Sequence, residues 1–216
     1  LGRYNDANAS LAQAEELAKQ SDNNIKPILV EIPLHYAQLA LSERHFPEAK
    51  KMSQQALKLA GTQYESVAIQ AKYTLGLAQA FSGEAREGKK VCEEAVEMAK
   101  NAGDVGLLSR AWLALAETLL ENKDAQGALT NAMQAQESFS RGGKLDSEWR
   151  AWVIASRASH LKGDERAAAD QLAQANNVFS QLRQKWGDEV FTLYLSRPDI
   201  QFSHKQLGES VPVAEK

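Results

Sequence analysis

Apolar residues along this chain recur at spacings of three and four, as in Leu107, Leu108, Ala111, Trp112, Leu115, Ala116 and Leu119. Side chains so spaced share one face of an α-helix, and this stretch predicts a helix with one buried side. No segment sustains the apolar-polar alternation of a half-buried strand. The chain carries 34 alanines, and the interval between Pro47 and Pro198 has no proline. Alanine is the best helix former and proline the worst, which extends the helical expectation over most of the chain.

Turn-forming clusters punctuate the pattern at Ser21 to Asn24, Gly61-Thr62, Asn101 to Asp104 and Gly142 to Ser147. Shorter breaks fall midway, at Glu43-Arg44-His45, Ser82-Gly83-Glu84, Asn122-Lys123-Asp124 and Lys162-Gly163-Asp164, where a C-capping glycine or asparagine, or an N-capping aspartate, would sit. The chain therefore reads as helical hairpins. Thr62 with Glu65 predicts a capping box, and Pro33 is expected to kink its helix or mark its start.

Small residues recur at fixed spacing in the second helix of each hairpin: Ala7, Leu11, Ala14; Ala49, Ser53, Ala56; Gly88, Cys92, Ala95; Ala128, Ala132, Ala135; and Ala168, Leu172, Ala175. The leading positions lie 42, 39, 40 and 40 residues apart. A matching pair precedes the last four of them by twelve residues, at Tyr36-Ala37, Leu75-Gly76, Leu115-Ala116 and Ala155-Ser156. Where two helices of a hairpin cross and the next hairpin packs on both, only small side chains leave room.

The pattern resembles the tetratricopeptide repeat (TPR) family over residues 1 to about 182, best at Trp112, Leu115, Ala116, Ala128 and Ala135. Trp152, Ala155, Ser156, Ala168 and Ala175 match with substitutions at the leucine-glycine pair, and Leu75, Gly76 and Ala95 match in the preceding unit. The period departs from the family's, about 40 against about 34, and the terminal proline of the motif is missing. The resemblance implies an all-α, right-handed superhelical solenoid of antiparallel helix pairs, with four full repeats, an N-terminal half repeat and a C-terminal capping helix. Long-period arrays of this kind are similar to those of bacterial multidomain signalling proteins.

The array opens in mid-repeat, at a turn formed by Leu1-Gly2-Arg3-Tyr4, and reads as a fragment of a longer protein. Leu11, Ala14 and Leu17 would then present an apolar stripe suited to self-association. Gln181 to Ser196, interrupted near Gly187, is expected to cap the last hairpin with Trp186, Val190, Phe191 and Leu193. The repeat domain is assigned to residues 1–203 and a polar tail to 204–216, of which 208–216 are expected to be disordered.

Composition narrows the functional classes. The chain of 216 residues has a net charge of −3 and is 25% charged, which gives no general attraction to nucleic acid or anionic membrane. Neither is expected as a partner. No run approaches the apolar length of a spanning helix. The single cysteine, Cys92, cannot close an intramolecular disulfide, and with no signal-like leader a cytoplasmic setting is expected. Gly83 to Lys90 nearly spells a phosphate-binding loop, but Lys90 stands where a magnesium-holding hydroxyl belongs and no strand precedes it. Cys92 occupies the small-residue position of Ser53 and Ala132, which makes it a packing thiol. His35, His45, His160 and His204 form no ligand pair. Asn8-Ala9-Ser10 is a sequon without a secretion signal. No enzyme activity, cofactor or metal is expected.

A protein or peptide partner is expected instead, bound in the concave groove lined by the first helix of each hairpin. Register taken from the resemblance places Glu31, His35, Gln38, Gln70 and Tyr73 there, followed by Arg110, Glu117, Arg150, Arg157 and His160. One position runs Glu31, Gln70, Arg110, Arg150, from acidic to basic, and an acidic partner segment would lie toward the last repeats. Arg110 and Arg150 should stand about 8–10 Å apart, with Arg157 about 10.5 Å along the helix from Arg150. Such a cluster suits carboxylates or phosphates; alternatively Glu117 and Arg157 pair with each other. The family's two-carboxylate clamp, lysine and asparagine at fixed positions, is replaced here by pairs such as Leu34/Gln38 and Val153/Arg157. The alternative to a scaffold is a regulatory array within a larger transcription regulator, ATPase or kinase, closing on its own effector domain or on a small acidic ligand.

Overall fold

The computed structural model describes residues 2–20 and 25–209, with the backbone alone at 208 and 209. The expected Ser21–Asn24 turn and most of the expected disordered tail, 210–216, lie outside the described residues. Among the described residues ten helices follow one another: α1 Tyr4–Gln20, α2 Lys26–Ser42, α3 Phe46–Ala60, α4 Glu65–Phe81, α5 Ala85–Ala102, α6 Val105–Glu121, α7 Ala125–Arg141, α8 Leu145–Leu161, α9 Glu165–Leu195 and α10 Pro198–Glu209. There is no strand among the described residues. Each of α1 to α9 packs on its chain neighbour, and α2, α4, α6 and α8 also pack side by side. The result is a helical solenoid with those four helices as the inner layer and α1, α3, α5, α7 and α9 as the outer one.

The small-residue triplets create this packing. Ala49, Ser53, Ala56, Cys92, Ala95, Ala128, Ala132, Ala135 and Ala175 are fully buried, and Ala168 and Leu172 nearly so. The tightest crossing joins α4 to α5 at Gly76 and Gly88. A Cβ added at Gly76 would stand 2.7 Å from the Gly88 carbonyl and collide with Cys92 Sγ. At the corresponding crossing of α8 with α9 the paired position is Ser156, whose hydroxyl donates to the Ala168 carbonyl at 2.8 Å. Inner helices meet neighbours on three sides, and so α4 buries eleven residues while α1 buries only Ala18. Each fully buried leucine-sized side chain contributes about 1.5–3 kcal/mol.

The turns inside the hairpins repeat as closely as the helices. Arg44, Gly83, Lys123 and Gly163 each hold a left-handed backbone, with φ of 61°, 89°, 61° and 79°. In each, the N–H one residue later closes a wide loop onto the preceding helix, as His45 does to the Ala40 carbonyl at 2.8 Å and Asp124 to Leu119 at 2.9 Å. Asp104, Asp124 and Asp164 cap the following helices by accepting from the N–H groups of Leu107, Gly127 and Ala167.

Several sequence expectations are corrected. The Thr62–Glu65 capping box does not form: α4 starts at Glu65 behind Tyr64, which makes no side-chain cap. Tyr64 instead packs into the cluster of Val30, Leu34 and Ala60, so burial of its ring sets the chain's entry. Pro33 does not start α2, which begins at Lys26 with Pro27 in its first turn and runs through the buried Pro33. Gly187 does break α9, with φ 77° and ψ 164°, but Leu193 of the expected cap faces solvent, 37% exposed. Tyr194 takes the inward place, accepting a hydrogen bond at 2.9 Å from the indole N–H of the fully buried Trp149. The 203/204 boundary falls inside a helix, because α10 carries Ile200 and Leu207 into the apolar cluster built around Trp149, Phe179 and Phe191.

Candidate functional site: the concave face beneath the last helix

The segment after Arg197 folds back across the concave face. Arg197 and Asp199 start the turn together, the guanidinium donating to both carboxylate oxygens at 3.0 and 2.7 Å. From there α10 packs on α9 and touches both α2 and α8, the first and last inner helices. Its opposite sides are anchored differently. Ile200 and Leu207 belong to the core formed by α8 and α9, while Asp199 reaches Arg150 on α8 at 3.7 Å. Phe202 reaches the other end of the groove, where it meets Phe81 edge-on at 6.2 Å and lies under the Arg44 guanidinium at 3.9 Å.

Arg44 is the centre of that second anchor. It stands 5.0 and 5.2 Å from the Phe46 and Phe81 ring centroids as well. A cation surrounded by three ring faces gains quadrupole attraction while losing water, and burial pulls its pKa below the usual arginine value, with Glu117 and Asp199 partly opposing. The left-handed backbone at this non-glycine residue costs roughly 1–2 kcal/mol. Its side-chain contacts supply a physical reason for arginine here, where two of the sister turns use glycine.

A chamber of about 340 Å³ remains between α10 and the inner helices. Leu41, Leu77, Leu113 and Ala114 give it an apolar floor, and Gln38, Tyr73, Thr74 and Ser147 contribute polar edges. Its charged lining is Arg44, Arg110, Arg150 and Arg197 with Glu117 and Asp199. Arg150 is shared at 3.7 Å by Glu117 and by Asp199. Burial alone would lower its pKa; Glu117 and Asp199, with smaller contributions from Tyr194 and Asp146, outweigh that and hold it above the ordinary value. Arg150 Nε is nevertheless buried without a hydrogen-bond partner. Arg110 is exposed at the edge, against Tyr73. Burial raises the Tyr73 pKa, and the charge and hydrogen bonding of Arg110 oppose that rise.

Of the ten residues read from sequence as a binding groove, Gln38, Tyr73, Arg110, Glu117 and Arg150 come together in this chamber. Gln70 adjoins it through a hydrogen bond with Gln38 at 3.3 Å. Glu31 and His35 are exposed, His35 on a separate cavity of about 790 Å³ between α1 and α2. Arg157 is drawn away by Glu121 at 3.6 Å and His160 by Glu165 at 2.9 Å. Arg157 thus pairs with neither Glu117 nor a basic cluster. Arg44, Arg197, Asp199 and Phe202 were invisible to a register limited to the inner helices, since one lies in a turn and three lie at or in α10. Cys92 is buried with its pKa pushed up to about 12 by that burial, which keeps it a thiol. Among the described residues no group of His, Cys, Asp or Glu could hold a metal ion, and no helix is long and apolar enough to cross a membrane.

No family model matches the chain, and no curated protein matches it. Among solved structures, the crystal structure of BtubC (BKLC) from P. vanneervenii resembles it with a TM-score of 0.67 at 14% identity, covering 84% of this chain and 75% of that one. At that identity the likeness concerns the fold, a stack of helices.

Proposed function

We propose that this chain is a non-catalytic interaction module, a long-period relative of the tetratricopeptide repeats, that receives a helix or extended segment of a protein partner along its concave face. The observation that carries the reading is that this face already accommodates a helix, α10, through an acid on Arg150 and an aromatic ring under Arg44. A partner using the same chemistry would present an acidic residue toward the last repeats and an aromatic one toward the first. That polarity agrees with the change from Glu31 to Arg150 along the inner helices. Photo-crosslinkers at Gln70 on the inner layer and at the exposed Gln54 on the outer layer test the reading in the native host. Partner adducts at Gln70 support it, and adducts confined to Gln54 overturn it.

One observation also favours the regulatory reading, in which the array closes on part of its own polypeptide: the helix in the groove belongs to the same chain. A Phe202→Asp variant, which removes the aromatic anchor, separates the two. Stronger crosslinking of an outside partner at Gln70 would make α10 a competitor; unchanged crosslinking would make it a fixed wall.

A further inference from the structure

The chamber beneath α10 carries more positive charge than its own carboxylates neutralise. Four guanidinium groups and two carboxylates line it, with Glu121 and Asp146 behind the lining also acting on Arg44 and Arg150. Asp199 is held on both oxygens by Arg197 and also faces Arg150. Glu117 lies against Arg150 as well. Among the described residues no carboxylate stands within ion-pair distance of Arg44 or Arg110, whose contacts are aromatic rings and Tyr73 respectively. The charge of Arg150 acts against that of Arg197, and Arg150 Nε is buried with nothing to donate to. Concentrated like charge beside a low-dielectric floor is costly, and an anion placed there would be held by several guanidinium forks at once.

We propose that this chamber is a binding site for a small organic molecule carrying two negative charges on a short apolar body. Two charges match the two lining arginines that have no carboxylate at ion-pair distance, Arg44 and Arg110, and Leu77, Leu113, Phe81 and Phe202 supply an apolar surface for the body. The volume lies at the small end of the range for ligand pockets, roughly 300–1,000 Å³. Arg110 stands exposed at the edge and is the first contact for an entering anion; Arg44 lies further in, with its guanidinium against aromatic rings and no carboxylate at ion-pair distance. Carboxylate and phosphate share this chemistry, and the probes decide between them. The site shares Arg44 and Arg150 with the proposed groove, but its occupant is a small molecule, and it stands or falls without a protein partner.

The test is calorimetric titration and thermal melting of the full chain with glutarate, phenyl phosphate and inorganic phosphate, each against sodium chloride of equal ionic strength. The expected result is saturable binding of glutarate or phenyl phosphate and a raised melting midpoint, with inorganic phosphate weaker because it lacks the apolar body. Arg110→Gln should weaken binding roughly tenfold or more, as loss of a charge-assisted contact does. Arg157→Gln, outside the chamber, should leave binding unchanged. Circular dichroism checks that Arg110→Gln is folded; should it not be, Tyr73→Phe, which removes the hydroxyl beside Arg110, takes its place and is expected to weaken binding less. No binding of either organic dianion at about 10 mM, far above a useful Kd, overturns the proposal. So does binding matched by sodium chloride, or binding insensitive to these chamber substitutions. Partner adducts at Gln70 together with any of these results would leave the proposed function intact while removing this site.

Discussion

Gly76 shows how much one missing methyl group can determine. Its backbone lies so close to α5 that an added Cβ would stand 2.7 Å from the Gly88 carbonyl, a distance side chains do not adopt. Replacing glycine by alanine inside a helix ordinarily stabilises by about 1 kcal/mol. Here overpacking, about 1–3 kcal/mol, opposes that gain. Gly76→Ala is therefore expected to destabilise the chain by up to roughly 2 kcal/mol, net of the propensity term, as read by urea denaturation. A stabilised variant would show that α4 and α5 can separate at no cost. Gly76 also marks what was legible in the sequence. The triplets that include Gly88, Ala128 and Ala168, and the pairs twelve residues before them, encode crossings directly, because volume at a crossing is set by sterics alone. The Thr62–Glu65 pattern misleads for the opposite reason: a cap is a contribution of about 1 kcal/mol, which the packing of the half-buried Tyr64 ring against its cluster can match.

At the scale of elements, the first nine helices follow from periodicity and turn chemistry, while α10 does not. Its sequence, from Pro198 to Glu209, mixes charged and apolar residues, and from 204 on it has the pattern of a polar tail. Its apolar residues Ile200 and Leu207 are buried by contacts with α8 and α9, a tertiary fact that no local pattern encodes. The candidate site divides likewise. Arg110, Glu117 and Arg150 were found because inner-helix register predicts which side chains face the groove; Arg44 and Asp199 were missed because the chain's return decides their neighbours. The joint that aims α10 is the second half of α9, fixed on α8 where the Trp149 N–H donates to Tyr194. Tyr194→Phe removes the acceptor and leaves a fully buried indole N–H unsatisfied, at a cost of about 1–3 kcal/mol. The expected reading is a lower urea midpoint together with a changed environment in near-ultraviolet circular dichroism. A neutral substitution would mean that Trp149 finds another acceptor and that α9 is held by ring packing alone.

In the whole molecule, an open stack of hairpins transmits contacts only from each repeat to the next, and its stability is close to a sum of neighbouring interfaces. Taken alone, that architecture predicts independent fraying of its ends. Only Ala18 is buried in α1, against eleven residues in α4 and ten in α6. Hydrogen exchange should therefore be fastest in α1 and slowest in α4 and α6. The return of α10 changes this, because it joins the turn after α2 to the start of α8 through Phe202 on Arg44 and Asp199 on Arg150. The chain is thereby closed on itself across the groove, and a defect in the last helix should be felt at the first turn. Phe202→Ala is expected to accelerate exchange at Glu43, Arg44 and His45, distant in sequence, while leaving the amides of α6, which are buried independently of that ring, at their original rates. Acceleration confined to α10 would mean that the closure adds no stability and that the repeats behave as an open array. Acceleration at the turn would place the two anchors of α10 in one cooperative unit with α2, and would make any ligand or partner acting on α10 able to stiffen or loosen the opposite end of the solenoid.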